Sequence, residues 1–314
     1  MRALVTGGAG FIGRWVVKEL LTGGHEVTVL DNLSAGRREN LAQFLESAGF
    51  NGLVEGDIRE RELLARAFPG QNVCYHLAAS INVQNSIDDP GETFDNDVAG
   101  TFNVLEECRK NNTRMIFVST CMVYERARPD GGIDEQHPVR PTSPYAAAKL
   151  AGEALTLSYH HAYRLPAVVL RPFNTYGPYQ RTGGEGGVVA VFTDRNLKGE
   201  KLTVYGDGTQ TRDFLYAEDC ARFIVAAGSR YGLSGEIVNA GSGRDITINE
   251  LTCLICPEKE RIIHVPHIHP RSEIEKLVCD WRKAERLLGW KPLVSLEDGL
   301  TRTRNWMEMG VTGR

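Results

Sequence analysis

Apolar residues along the chain switch repeatedly between two periods. Arg2–Thr6 is a short apolar run, and Phe11, Val16, Val17, Leu20 and Leu21 then fall on one side of a helix over Gly10–Leu21. Glu26–Leu30, Gly52–Glu55 and Val73–His76 read as further strands, with a helix over Gly100–Lys110. Met115–Ser119 is a fifth strand, Tyr145–Tyr163 a long helix and Ala167–Arg171 another strand. Strands that are almost continuously Val, Ile or Leu, separated by helices, predict a parallel sheet covered on both faces. After Pro172 the pattern loosens, Gly and Pro become frequent, and segments such as Glu236–Gly241 read as short isolated strands. The expected architecture is an α/β Rossmann domain, a doubly wound parallel sheet over residues 1–174, with a smaller α/β lobe over 175–314. Residues 212–240 are expected to return to the first domain.

At 314 residues, with 42% hydrophobic and 24% charged positions, the chain has the means to bury such a core. A net charge of −4 and no basic stripe argue against a nucleic-acid partner. No apolar run approaches membrane length, and MRALVTGGAG lacks the form of a secretory leader. Seven cysteines in mostly apolar surroundings read as reduced thiols in a cytoplasmic protein. Cys253 and Cys256 have metal spacing without a second pair, and His264, His267 and His269 lead from strand to loop. Both are read as packing or wall residues, and no metal site is expected.

The first chemistry lies in TGGAGFIG, which gives Gly7-x-x-Gly10-x-x-Gly13 between the first strand and the first helix. Glycines there let the backbone turn tightly against a diphosphate, and the helix N-terminus offers free N–H groups and partial positive charge. Asp31 follows at the end of the second strand, where a carboxylate accepts hydrogen bonds from an adenosine ribose. Its charge favours NAD over NADP, a preference that Arg37 and Arg38 weaken. Asp57, after the third strand, is placed either to meet the adenine amino group or to cap the next helix.

Tyr145 and Lys149 are one helical turn apart and so share a face. A phenol titrating at about 10 is a poor base at neutral pH, and an adjacent ammonium stabilises its phenolate. Such a tyrosine takes a proton from a sugar hydroxyl while the carbon loses hydride to a nicotinamide. Thr120, at the end of the fifth strand, is placed to hydrogen-bond the same oxygen. His76 is expected to pack at the end of the fourth strand beside the cofactor.

TGGAGFIG, VLDNLSAGRREN, HLAA, SPYAAAK, RPFNTYGP, YGDGTQTRDFLYAED and LGWKP together resemble the extended short-chain dehydrogenase/reductases, in the branch of nucleotide-sugar epimerases and dehydratases. The resemblance implies bound NAD, a lobe for a nucleoside-diphosphate sugar and a homodimer packed around the Tyr145 helix. It places Gly7, Gly10, Phe11, Ile12 and Gly13 against the cofactor, with Asp31 and Asn32. Asp57, Ile58, Leu77 and Ala78 join them, along with Tyr145 and Lys149. On the sugar side it implies Thr120, Cys121, Met122, Asn174 and Val188, with Arg212 and Arg271 gripping the diphosphate. Arg181 is read as reaching the sugar C6 substituent. The loop Arg181–Gly187 lacks Gly-Lys-Ser/Thr and reads as a mobile cover. The family pattern also leads to Asn at position 97, where this chain has Asp97.

Dehydratases of this branch carry an Asp-Glu pair directly after the threonine, and this chain has Cys121-Met122. Met122 has no titratable group. The expectation is therefore redox without elimination: 4-epimerisation of a nucleotide-sugar, a UDP-sugar favoured, through a transient 4-ketone. Two alternatives stay open. In one, Cys121 serves as acid or base for a dehydration or 5-epimerisation. In the other, the chain is a non-catalytic NAD-binding protein.

Overall fold

The structure, a computed structural model, describes residues 1–129, 131–183, 187–267 and 270–310. His269 and the middle of the Arg181–Gly187 loop, read above as wall and cover, lie outside the described residues, as do residues 311–314.

Among the described residues there are twelve strands: β1 (Arg2–Thr6), β2 (Glu26–Asp31), β3 (Phe50–Glu55), β4 (Val73–His76), β5 (Arg114–Val118), β6 (Ala167–Pro172), β7 (Asn174–Tyr176), β8 (Leu202–Tyr205), β9 (Thr211–Tyr216), β10 (Ile237–Ala240), β11 (Asp245–Thr247) and β12 (Ile262–Val265). Seven form one sheet in the order β10-β6-β5-β4-β1-β2-β3. Every pair in it is parallel, with Val5 beside Val29 on one side and Tyr75 on the other. The sheet is doubly wound, and its order reverses between β1 and β4.

Alternation along each strand explains the continuous apolar runs. Val5, Val29, Tyr75, Ile116 and Val168 face one buried cluster with the helices Phe11–Thr22 and Ala217–Ser229. Leu4, Leu30, Cys74, Phe117 and Val169 face the other, under Gly100–Asn111 and Pro144–Tyr163. Successive side chains point to opposite faces, so a strand covered twice must be apolar at every position. Each such Leu, Ile or Val contributes about 1.5–3 kcal/mol by leaving water.

A three-stranded sheet, β11-β9-β7, and a two-stranded one, β12-β8, form a third core around Tyr176, Phe192, Phe214 and Leu251. Within residues 212–240, β9 belongs to this three-stranded sheet. The chain reaches the main sheet through the helix Ala217–Ser229 and β10. β10 is an edge strand paired with β6 rather than the isolated strand its short run suggests, and Val238 is fully buried in the first cluster.

The helix Pro144–Tyr163 starts where its sequence dictates. The Ser143 hydroxyl accepts from the Ala146 N–H at 3.2 Å, and Pro144 occupies the first turn, where no N–H is required. A single π-helical turn, Phe94–Ala99, precedes the helix Gly100–Asn111. The apolar pattern gave no sign of it, because its period is neither 2 nor 3.6.

Candidate active site

The glycine turn is packed onto itself at the reversal point of the sheet. Gly7 has φ +71°, and a Cβ there would stand 2.7 Å from the Ala78 nitrogen at the exit of β4. A Cβ on Gly13 would stand 2.0 Å from the Gly7 oxygen, to which the Gly10 N–H donates at 3.1 Å. Only hydrogen fits at either position, so the helix N-terminus comes directly against the ends of β1 and β4. Phe11 and Ile12 are half-buried on the first core cluster.

Asp31 is 6% exposed and accepts from Ala9 N–H at 2.9 Å and Leu33 N–H at 2.8 Å. Burial raises its pKa, and these bonds oppose the rise. The carboxylate is thus tied to the glycine turn and retains lone pairs for a ligand. Asn32 donates to Asp57 at 2.9 Å, and Arg59 grips Asp57 through two nitrogens at 2.9 and 2.7 Å. The Arg59 hydrogen bond holds the Asp57 carboxyl down at about 2. Asp57 caps no helix; Glu60 occupies that place for Arg61–Ala67. Ile58 is buried against Gly100, and Arg38 pairs with Glu55.

Thr120, Tyr145 and Lys149 are 9%, 8% and 4% exposed, so all three are withdrawn from bulk water. Ser119 and Thr120 lie just beyond β5, which starts and ends one residue earlier than the expected Met115–Ser119. The Thr120 hydroxyl accepts from Met122 N–H at 3.2 Å and acts on the Tyr145 phenol. Burial pushes that phenol up, the charge of Asp97 pushes it further, and the Thr120 hydrogen bond opposes both. Lys149 sits 4.8 Å over the Phe117 ring. Burial lowers its pKa, with Asp97 and then Glu153 opposing. This differs from the sequence expectation. The ammonium is matched to two carboxylates, and without a further positive charge Tyr145 is a neutral phenol.

Asp97 is 2% exposed. One of its oxygens accepts from Ser80 N–H at 2.6 Å and from Asn96 at 2.9 Å, and the other has no partner among the described residues. His76 bridges Thr6 at 2.7 Å and Thr101 at 3.0 Å, and burial drives its pKa down to about 3, so it stays neutral.

On the other side of Thr120 the thiol of Cys121 is 3.9 Å from the Asn174 side-chain oxygen. Burial pushes this thiol up to about 12, although the Arg212 charge opposes the shift. It is a protonated group at neutral pH and no ready base. Arg212 is lowered by burial to about 10 and stays charged. Its guanidinium is held by Glu273 and by the carbonyls of Thr211 and Ile274, each at 2.7 Å. His267 supports Glu273 at 2.8 Å, and His264 meets Asn249 at 3.1 Å.

Met122 is half-buried beside Cys121, and Val188 is half-buried at the start of the helix Val188–Leu197. Arg181 and Arg271 are exposed, and among the described residues no hydrogen bond or ion pair joins them to this group. The structure therefore brings Thr120, Cys121, Tyr145, Lys149, Asn174 and Arg212 together, while Arg181 and Arg271 stand exposed without a bond to any of them among the described residues.

Sequence reasoning missed three buried charges here. Asp213, fully buried, accepts from Ser242 N–H and hydroxyl, Gly243 N–H and Cys279 N–H at 2.6 to 3.0 Å, and burial lifts its pKa to about 6. Glu153 and Arg171 pair beneath Ser119. The signal for Glu153 was present, since Tyr145, Lys149 and Glu153 recur every four residues.

Residues 3–241 match the model of the NAD dependent epimerase/dehydratase family. The fold superposes on a structure described as Pal from Bacillus thuringiensis, with TM-score 0.96 and 54% identity over 98% of this chain and 99% of that one. It also superposes on the UDP-glucose 4-epimerase of Thermotoga maritima with UDP-glucose, with TM-score 0.91 and 35% identity over 99% and 100%. For the dTDP-glucose 4,6-dehydratase DesIV of Streptomyces venezuelae with NAD and TYD bound, the TM-score is 0.92 and the identity 35% over 98% and 97%. Epimerase and dehydratase chemistry thus both occur among its likenesses.

Proposed function

The chain belongs to the NAD dependent epimerase/dehydratase family, and on that footing we propose that it inverts C4 of a nucleoside-diphosphate hexose, with UDP as the favoured nucleotide, without removing an oxygen. The cofactor is NAD. The chain's residues fit it: a turn closed to any Cβ at Gly7 and Gly13, a helix N-terminus behind it, and the Asp31 carboxylate at the second strand. When bound, NAD supplies the electron sink, accepting two electrons and a hydrogen from C4 and giving them back.

The remaining steps belong to the protein. Tyr145 takes the C4 hydroxyl proton as that carbon becomes a ketone, and returns it at the end. Its phenol is raised by burial and by the Asp97 charge, and the positive charge that oxidised NAD would supply when bound would favour its ionisation. Thr120 donates to the same oxygen. Lys149, held charged between Asp97 and Glu153, steadies the phenolate. General acid–base transfer of this kind is worth about 10²–10⁴ in rate. Asn174 and Arg271 bind the diphosphate, with Arg212 behind them, and Arg181 meets the C6 side of the sugar. The seven cysteines are free, in keeping with the cytoplasm, and a second copy is expected around the Tyr145 helix.

The observation that carries this reading is the pair that follows Thr120, a buried Cys121 and a half-buried Met122 with no carboxyl between them; burial pushes the thiol up to about 12. Met122 carries no proton, and a thiol held protonated is a poor base toward C5, so the two do not replace a carboxyl pair. A second reading rests on the same thiol. In it the Arg212 charge stabilises the Cys121 thiolate, which takes the C5 proton that the C4 ketone makes acidic; water returns a proton to the opposite face and its hydroxide takes the thiol proton, inverting C5. The test is to offer UDP-, dTDP-, GDP- and CDP-hexoses and identify products by NMR. A C4 epimer, with Tyr145→Phe about 10²–10⁴-fold slower at unchanged Tm, supports the first reading. A deoxygenated product, or near-normal turnover by Tyr145→Phe, would overturn it.

A further inference from the structure

We propose that Ser119, Glu153 and Arg171 form a positioning set that fixes where Thr120 stands against Tyr145. The inference rests on the reading of Tyr145 and Thr120 given above. Tyr145, Lys149 and Glu153 lie at successive four-residue steps on one twenty-residue helix, so they share a face. Glu153 is 2% exposed and Arg171 3%. The Arg171 Nε donates to one Glu153 oxygen at 2.8 Å, and a second guanidinium nitrogen bonds the other oxygen, giving a two-point fork. The Ser119 hydroxyl donates to the first of those oxygens. The Ser119 N–H donates to the Leu170 carbonyl at 2.7 Å, so the residue before Thr120 is pinned through both backbone and side chain.

The set is anchored away from the reacting atoms. The Arg171 guanidinium lies 4.6 Å over the Tyr124 ring. The Tyr124 hydroxyl donates to Asn239 at 2.8 Å, and the Asn239 amide donates to the Ile133 carbonyl at 3.1 Å. A line of buried polar contacts therefore runs from the helix across β6 to the edge strand β10. A buried ion pair is weak evidence of stability, because desolvation offsets much of its attraction. Here every contact bears on placement. One carboxylate tethers the residue before Thr120, which itself caps the turn Cys121–Val123, and acts on the charge of Lys149 from one helical turn away.

Ser119→Ala tests this, because it cuts the tether while leaving the Glu153–Arg171 pair intact. Two readouts are taken: kcat and KM on the accepted nucleotide-sugar, and hydrogen exchange at the Met122 amide, which the Thr120 hydroxyl protects. The expected result is a kcat reduced about 10–100-fold, the scale of an ångström-sized misplacement, at unchanged KM and Tm. Met122 exchange should be at least tenfold faster, and Ser119→Thr should restore both values. A kcat within twofold of wild type, or unchanged Met122 exchange, overturns the proposal. If wild type yields a dehydrated product, or converts no nucleotide-sugar, the C4-epimerase reading fails, while the exchange measurement still decides the role of Ser119.

Discussion

The glycine turn and the Arg212 corner are built on opposite principles. At the turn, function comes from what is missing. No Cβ fits at Gly7 or Gly13, and the backbone presents its own N–H groups. At the corner, function comes from charges held in place: Arg212 by Glu273 and two carbonyls, Asp213 by four donors. The first design tolerates almost no substitution. The second spreads its demands over many residues, so each single loss costs less.

The largest effect should come at the turn. Gly13→Ala forces the loop away from the Gly7 oxygen, and the variant should lose its NAD, measured as nucleotide released on denaturing the purified protein. A full complement of cofactor in that variant would break the contrast.

A smaller effect is expected from Asp97→Asn. The groups acting on Tyr145 are Asp97, Thr120 and Cys121, and Asp97 opposes ionisation of the phenol. Removing its charge lowers the Tyr145 pKa. Since the base must be deprotonated, the acid limb of the kcat/KM profile should move to lower pH. A shift upward, or none, would show that Asp97 acts chiefly by keeping Lys149 charged.

The smallest effect lies on the sugar side. Arg271→Ala should raise KM about tenfold, the scale of one charge-assisted hydrogen bond, with kcat within twofold and Tm unchanged. Arg212→Ala should instead lower Tm, because it strands Glu273. Equal Tm losses in the two variants would erase the distinction drawn between them.

The same contrast explains what could be read from the sequence. A backbone that must turn against a diphosphate imposes glycine at fixed spacing, and a helix face imposes a four-residue step. Gly7, Gly10, Gly13, Asp31, Tyr145 and Lys149 were therefore legible, as was a main sheet whose strands are apolar at every position. The corner is assembled from β5, β7, β9 and the segment after β12, far apart in the chain and tied by pairs with no spacing rule. Asp213 and the Glu273 partner of Arg212 could not be foreseen. Asp97 was legible as a departure in type, but its burial depended on a π turn that no apolar period announces. Glu153 was visible at the right spacing on its helix, yet its partner Arg171 lies on the strand β6.

The most direct test is to run the reaction in heavy water and follow the sugar by mass spectrometry and proton NMR. The account predicts a C4 epimer of unchanged elemental composition with no solvent deuterium on any carbon. A product lighter by one water, or one carrying deuterium at C5, would contradict it.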